Sequence, residues 1–228
     1  MEFTGKNILV LGGSGVLGAE LVRQLSAQGA KVMATARNPE TAAKIPAETT
    51  LKLVVDLEIP ESIKTLTDYL LDANSPINGI INAAGVVGFA KATETSAQDS
   101  AKLMQINNLG PAAIISALHP LLVLDKDTES FVAGITGVVS EKVFPGMSSY
   151  TVSKTAHASY LATITQEFRR DKIQVTDAKP GHTETGLASR AIFGTAPAFP
   201  EGMTASHVVS VLLAGIKEGK AVIASTEF

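Results

Sequence analysis

N-I-L-V-L-G-G-S-G-V-L-G, residues 7–18, decides how the rest of the chain is read. Asn7 to Leu11 form an apolar, β-rich run. Glycines at 12, 13, 15 and 18 follow at once, and A-E-L-V-R-Q-L, residues 19–25, continues with helical character. The loop reads as Gly13-x-Gly15-x-x-Gly18 or as Gly12-x-x-Gly15-x-x-Gly18. Either way the glycines permit a tight turn, let backbone amides approach a pyrophosphate and allow close helix packing, while the helix N-terminus favours the anion. The spacing alone suits an ordinary turn; a strand before it and a helix after it supply the context of a dinucleotide site. Gly12, Ser14, Gly15, Val16, Leu17 and Gly18 are the expected contacts.

Further β-rich runs follow at 31–35, 51–55, 77–82, 130–135, 173–178 and 221–225, separated by helix-like stretches near 16–28, 60–74, 96–120, 148–170 and 204–217. Runs this continuously apolar belong to strands covered on both faces, and strict β-α alternation implies right-handed crossovers. The fold class expected is α/β, a doubly wound Rossmann sheet of seven parallel strands with helices on both faces. No linker or repeat interrupts it, so residues 1–228 read as one dinucleotide-binding domain. The long irregular segment at about 181–202 carries Phe193, Pro197, Phe199 and Pro200. It emerges where such sheets bind ligands and is expected to be a substrate lid.

Composition narrows the function classes. The chain of 228 residues is 45% hydrophobic and 18% charged, with net charge −3. That suits a soluble globular protein with a sizeable core, and the scattered basic residues suggest neither nucleic acid nor a membrane as partner. There are no cysteines, which removes disulfides, thiolate catalysis and cysteine metal sites. His119, His157 and His207 show no ligand spacing and read as structural or surface residues, so no metal is expected. His182 reads equally as a pocket residue or a solvated one. With no secretory leader and no apolar run of spanning length, a cytoplasmic location is expected.

The second strand indicates which dinucleotide. An acidic residue about 20 positions after the glycine loop ordinarily holds the ribose 2′-hydroxyl of NAD. From Leu21 to Pro39 there is no Asp or Glu, and the strand ends T-A-R-N. Arg37 therefore stands where a guanidinium could fork onto a 2′-phosphate, and NADP(H) is the expected cofactor.

S-S-Y-T-V-S-K, residues 148–154, places Tyr150 and Lys154 one helical turn apart on one face. An ammonium beside a phenol favours the phenolate, so the tyrosine could exchange a proton below its free pKa. Tyr-Lys pairs also arise by chance, and alone this one proves little.

Taken together, the chain resembles the short-chain dehydrogenase/reductase family over essentially its whole length. V-D-L at 55–57 matches the family's adenine-side turn with Asp56 and Leu57. N-A-A-G at 82–85, comprising Asn82, Ala83, Ala84 and Gly85, matches its turn after the fourth strand. I-N-N-L-G at 106–110 places Asn107 on its helix asparagine, and P-G-H-T-E-T at 180–185 supplies Pro180, Gly181, Thr183 and Thr185. The resemblance implies that Tyr150 is the general acid or base, that Lys154 lowers its pKa and holds nicotinamide ribose, and that Asn107 supports a proton-relaying water. It implies that Thr185 and the backbone after Pro180 orient the carboxamide. It also implies a homodimer or homotetramer built on helices 96–120 and 148–170, the latter offering Ala156, Ala158, Leu161, Ala162 and Ile164.

The chain departs from the family's pattern twice. Val16 stands at the middle glycine of the short, single-domain members. Gly137 stands at the serine that would hold the substrate oxygen, leaving Thr136, Ser140 or nothing to replace it. Thr136 is the expected substitute, provided the backbone twists there. Val86, Val87, Phe89, Val138, Val139, Val143 and Phe144 fall in the two pocket-wall loops and suggest an apolar substrate. The reading is an NADP(H)-dependent reductase or dehydrogenase acting on a small or apolar ketone, aldehyde or secondary alcohol. Its alternatives are an NADP(H)-binding, redox-responsive regulator without turnover, and an isomerase or dehydratase on the same fold.

Overall fold

The computed structural model describes residues 1–228. Strands β1 (Asn7–Leu11), β2 (Lys31–Ala36), β3 (Leu51–Val54), β4 (Gly79–Asn82), β5 (Ser130–Ile135), β6 (Ile173–Ala178) and β7 (Val222–Ile223) form one sheet. Its order is β3-β2-β1-β4-β5-β6-β7 and every pairing is parallel. The helices are α1 (Val16–Ala27), α2 (Pro39–Ala42), α3 (Pro60–Ala73), α4 (Ala97–Met104), α5 (Gly110–Leu122), α6 (Ser148–Glu167) and α7 (Ala205–Glu218).

Side chains on successive strand residues point to opposite faces, and the two cores follow that alternation. Ile8, Val10, Phe131, Ala133, Ile135 and Ala178 pack under α1 and α7, whereas Leu9, Leu11, Val132, Ile173 and Val175 pack under α3, α5 and α6. Both faces are covered, which is why these strands read as unbroken apolar runs. Each fully buried Leu or Ile contributes about 1.5–3 kcal/mol. β3 departs from the expectation: as the sheet's edge it alternates half-buried with exposed residues, and Val54 is 44% exposed. β7 is reduced to two residues, and the short helix α2, capped by Asn38, was not foreseen.

The stretch expected as one helix at 96–120 is three pieces. Between α4 and α5 lies a π-helical turn, Gln105–Leu109. Pro111 has no N–H to give the Asn107 carbonyl, its α-helical partner, so the ladder must shift there. The shift leaves Asn107 fully buried, facing the sheet's carboxyl edge.

The strand order reverses between β1 and β4, so the loops after these two strands part from each other and open a crevice at that edge. No helix is long and apolar enough to cross a membrane.

Candidate active site

A cavity of about 440 Å³ occupies this crevice, walled mostly by apolar side chains. The glycine loop forms its floor. Gly12 has φ +82°, and a Cβ there would come within 2.8 Å of the Ala84 backbone. A Cβ on Gly18 would lie 2.1 Å from the Gly12 carbonyl, so α1 presses directly onto the loop. Gly15 precedes α1 as its N-cap and has no side chain to cap it, which leaves the first-turn amides without intrahelical partners. Gly15, Val16 and Leu17 line the cavity. Thr35 secures the loop from β2 by accepting the Gly12 amide at 3.1 Å.

Tyr150, Lys154 and His157 occupy one buried face of α6 at i, i+4 and i+7, with the first two on the cavity wall. Lys154 Nζ donates to the Ile135 carbonyl at 2.9 Å. Burial pushes the Tyr150 phenol up to about 12. Burial likewise pulls the Lys154 ammonium down to about 8, with Asp177 opposing. Burial alone accounts for the shift of the phenol, which runs opposite to the expected lowering by the lysine. At neutral pH the phenol keeps its proton, the state a general acid needs.

Asn107 holds the two sides of the crevice together. Its Oδ1 accepts the Val86 amide at 2.8 Å, and its Nδ2 donates at 2.9 Å to both the Val86 carbonyl and Ser153 Oγ. The side chain expected to support a water is instead committed to the loop that follows the 82–85 turn. Asn82 is buried and does not reach the cavity; its Oδ1 accepts the Ala84 amide and its Nδ2 lies 3.2 Å from His157 Nε2. Ala83, Ala84 and Gly85 do line it.

Thr136, the expected substitute for the missing serine, lines the cavity, but its hydroxyl is turned to another partner. Its side chain lies on the α6 side of the sheet, fully buried, and its hydroxyl donates to Asp177 Oδ1 at 2.6 Å. The twist that would turn it toward substrate comes one residue later, at Gly137, with φ +80° and ψ 166°. Ser140 Oγ donates to the Gly137 carbonyl at 2.8 Å and lies 3.0 Å from Thr136 Oγ1. A serine at 137 would have to adopt a backbone conformation that L residues rarely take.

The segment 181–202 folds over the cavity and is tied to the opposite wall. Ile192 N donates to Val87 O at 2.9 Å, and Phe89 N to Phe193 O at 3.1 Å. His182 stacks on Phe199 with ring centroids 4.7 Å apart, and Phe199 meets Phe89 at 6.2 Å. Pro180, Gly181, Thr183, Thr185 and Arg190 line the cavity from this side. Of the expected apolar walls, Val87, Phe89, Val138, Val139 and Phe144 face it, whereas Val143 points outward and is 87% exposed. Arg37 stands exposed at the end of β2 without an ion-pair partner. Asp56, whose Oδ1 accepts the Glu58 amide, follows β3 on the same edge; the Leu57 side chain belongs to the core.

His157, expected as a structural or surface residue, is structural, whereas Asp177 carried no expectation. His157 is fully buried between Asn82 and Asn108 and is held neutral by burial and by the Lys154 charge. Its i+7 spacing from Tyr150 was the available signal. Asp177 shares the α6 face of the sheet with Thr136, and a single acid at the end of an apolar run carried no signal of its partners.

This architecture has known counterparts. The short chain dehydrogenase family model matches residues 6–192. The chain therefore belongs to the short-chain dehydrogenase/reductase family, oxidoreductases of Rossmann fold that use nicotinamide cofactors. A "Dehydrogenase/reductase SDR family protein 7-like" of Anopheles gambiae is 27% identical over 209 residues, covering 87% of this chain and 65% of that protein. The chain spans 60–65% of the length of the first such relatives. A short chain dehydrogenase from Burkholderia cenocepacia J2315 in complex with NADP superposes with TM-score 0.84 at 21% identity, covering 99% and 90% of the two chains. One from Burkholderia phymatum in complex with NAD superposes with TM-score 0.87 at 19% identity, over 99% and 90%.

The buried histidine makes stability depend on pH. Its folded pKa, about 3, lies below the ordinary 6.5, so between these values the unfolded chain binds a proton that the native one does not. Stability from this group is complete above pH 6.5 and falls by about 1.4 kcal/mol per unit as pH drops toward 3. Urea unfolding from pH 4 to 8 should show a steeper acid loss in the wild type than in His157→Gln; equal slopes would refute the assignment.

Proposed function

We propose that the protein is an NADP(H)-dependent oxidoreductase that interconverts a small or apolar ketone or aldehyde and the corresponding secondary or primary alcohol. The observation that carries this reading is Tyr150 and Lys154, buried side by side on α6, opening onto an apolar cavity that continues to the glycine loop.

The residues present suit a dinucleotide. Gly12 and Gly18 leave no room for a Cβ, and the uncapped start of α1 offers amides to a pyrophosphate. Arg37 would take the 2′-phosphate, Asp56 and the Leu57 backbone the adenine, and Lys154 the nicotinamide ribose, with Ala83 to Gly85, Thr183 and Thr185 along the remainder. The nicotinamide supplies the hydride. The chain supplies the proton, from Tyr150 Oη to the carbonyl oxygen, and Lys154 offsets the negative charge left on the phenol. Segment 181–202 serves as the lid that keeps water from the cavity. The proposed domain comprises the whole of residues 1–228.

The end of β5 favours a second reading. Neither Thr136 nor Ser140 has a free hydroxyl proton for substrate, and Gly137 has no side chain. A protein that binds NADP(H) as a redox-responsive regulator could dispense with that donor. Tyr150→Phe separates the two: turnover should fall by about 10²- to 10⁴-fold in single-turnover reduction while NADPH affinity stays nearly unchanged. No loss, or no NADPH oxidation by the wild type with any carbonyl compound screened, favours the regulator.

Arg37 should give NADPH an advantage over NADH of about ten- to a hundredfold in affinity, the worth of one bidentate charge-assisted contact. Titration of wild type and Arg37→Ala with both cofactors measures it, and equal wild-type affinities would remove the argument.

The outer surfaces of α5 and α6 support self-association. Leu161 and Ile164 belong to the core, but Val152 is 58% and Leu109, just before α5, 51% exposed beside the small Ala156, Ala158 and Ala162. A homodimer or homotetramer across this face is expected by light scattering at micromolar concentration; a monomer would overturn it.

A further inference from the structure

Asp177 is a carboxylate 5% exposed at the carboxyl end of β6, in a position the chemistry above does not use. β5 and β6 pair with Gly134 opposite Asp177 and Ile135 opposite Ala178. Ile135 and Ala178 belong to the core under α1 and α7, so by alternation Gly134, Thr136 and Asp177 face α6. The helix passes directly over this patch: a Cβ on Gly134 would lie 2.6 Å from Leu161 and 3.2 Å from His157. Lys154, one turn earlier on α6, reaches the Ile135 carbonyl beside it.

The carboxylate is held in place. Oδ1 accepts from Thr136, and Oδ2 lies 3.6 Å from Lys179 Nζ, which in turn is 3.9 Å from Glu141. The groups around Lys154 can be counted element by element. On its own helix are Tyr150 and the neutral His157. Across the cavity the lid presents His182 and Arg190. From β6 and the loops behind come Asp177, Lys179 and Glu141. No carboxylate lines the cavity itself. Asp177 is therefore the near negative charge, and it lies outside the cavity lining.

We propose that Asp177 is a positioning residue for Lys154: fixed by Thr136 and flanked by Lys179, its carboxylate supplies the counter-charge that keeps the buried lysine an ammonium facing the cavity. The same contact accounts for Thr136, whose hydroxyl is spent on the carboxylate rather than on substrate. The catalytic use of this charge rests on the reading of Lys154 given above, but the electrostatic coupling does not.

Competitive acetylation with trace acetic anhydride between pH 6 and 11, followed peptide by peptide by mass spectrometry, reads the ionisation of Lys154 without turnover. Asp177→Asn keeps the shape and can still accept from Thr136 while removing the charge. Lys154 should then become reactive at lower pH, by on the order of one unit. Asp177→Glu should restore most of the shift. Lys179→Met removes the competing cation and should move Lys154 the other way. An unchanged Lys154 titration in folded Asp177→Asn overturns the proposal. Should Asp177→Asn fail to fold, absence of an upward shift in Lys179→Met overturns it. If the carbonyl-reductase reading holds as well, the alkaline limb of kcat/KM for reduction moves down in Asp177→Asn together with the acetylation curve. If the acetylation shift appears without any NADPH turnover in the wild type, the coupling stands and the enzyme reading fails.

Discussion

Burying the Lys154 ammonium at the carboxyl edge of the sheet is the constraint around which this region is organised. A cation without water needs hydrogen-bond acceptors and a compensating charge, or it loses its proton. The Ile135 carbonyl, freed because β5 ends there, supplies an acceptor, and Asp177 on the adjacent strand supplies the charge. Both come from strands whose register is pinned by six paired residues, so the lysine is held by the sheet rather than by a loop. Rigid elements fix such groups more exactly than loops do.

The same helix face explains the polar chain that runs behind the cavity. His157 is one turn beyond Lys154, and a charged imidazole there would repel it. Neutral, it can accept from Asn82 and donate to Asn108, and Asn82 in turn orders the turn 82–85. Asn107 grips the next residue, Val86, by both backbone groups. Its inward rotation traces to Pro111, which cannot complete the α-helical ladder. One proline thus shapes the helix, the helix places an amide, and the amide fixes the loop that lines the cavity.

Much of this was legible in the residues. Strands covered on both faces read as apolar runs, and all seven strands fall within about two residues of the runs that announce them. The glycine loop carried its meaning through the strand and helix around it, and Tyr150 with Lys154 declared a shared face through helical spacing. The failures have physical causes. β3 is an edge strand, and its apolar letters conceal a solvated face. Thr136 lines the cavity as expected, but its hydroxyl proton goes to Asp177, a partner 41 residues away that spacing along one strand does not reveal. Asp177 and His157 act through neighbours that are distant in sequence, Thr136 and Asn82, and spacing along one element does not reveal such pairs.

The cavity's charge inventory follows from this arrangement. Its ionisable lining consists of Tyr150, Lys154, His182 and Arg190, and the nearby carboxylates stand outside it: Asp177 on β6, Glu184 paired with His182 at 3.3 Å. An apolar wall bearing basic groups raises the local concentration of anions, because field lines are poorly screened where water is scarce. Withholding acids from the lining preserves that potential, and placing Asp177 one layer back keeps Lys154 protonated without cancelling it. The buried acid and the bare cavity wall are thus two parts of one electrostatic solution.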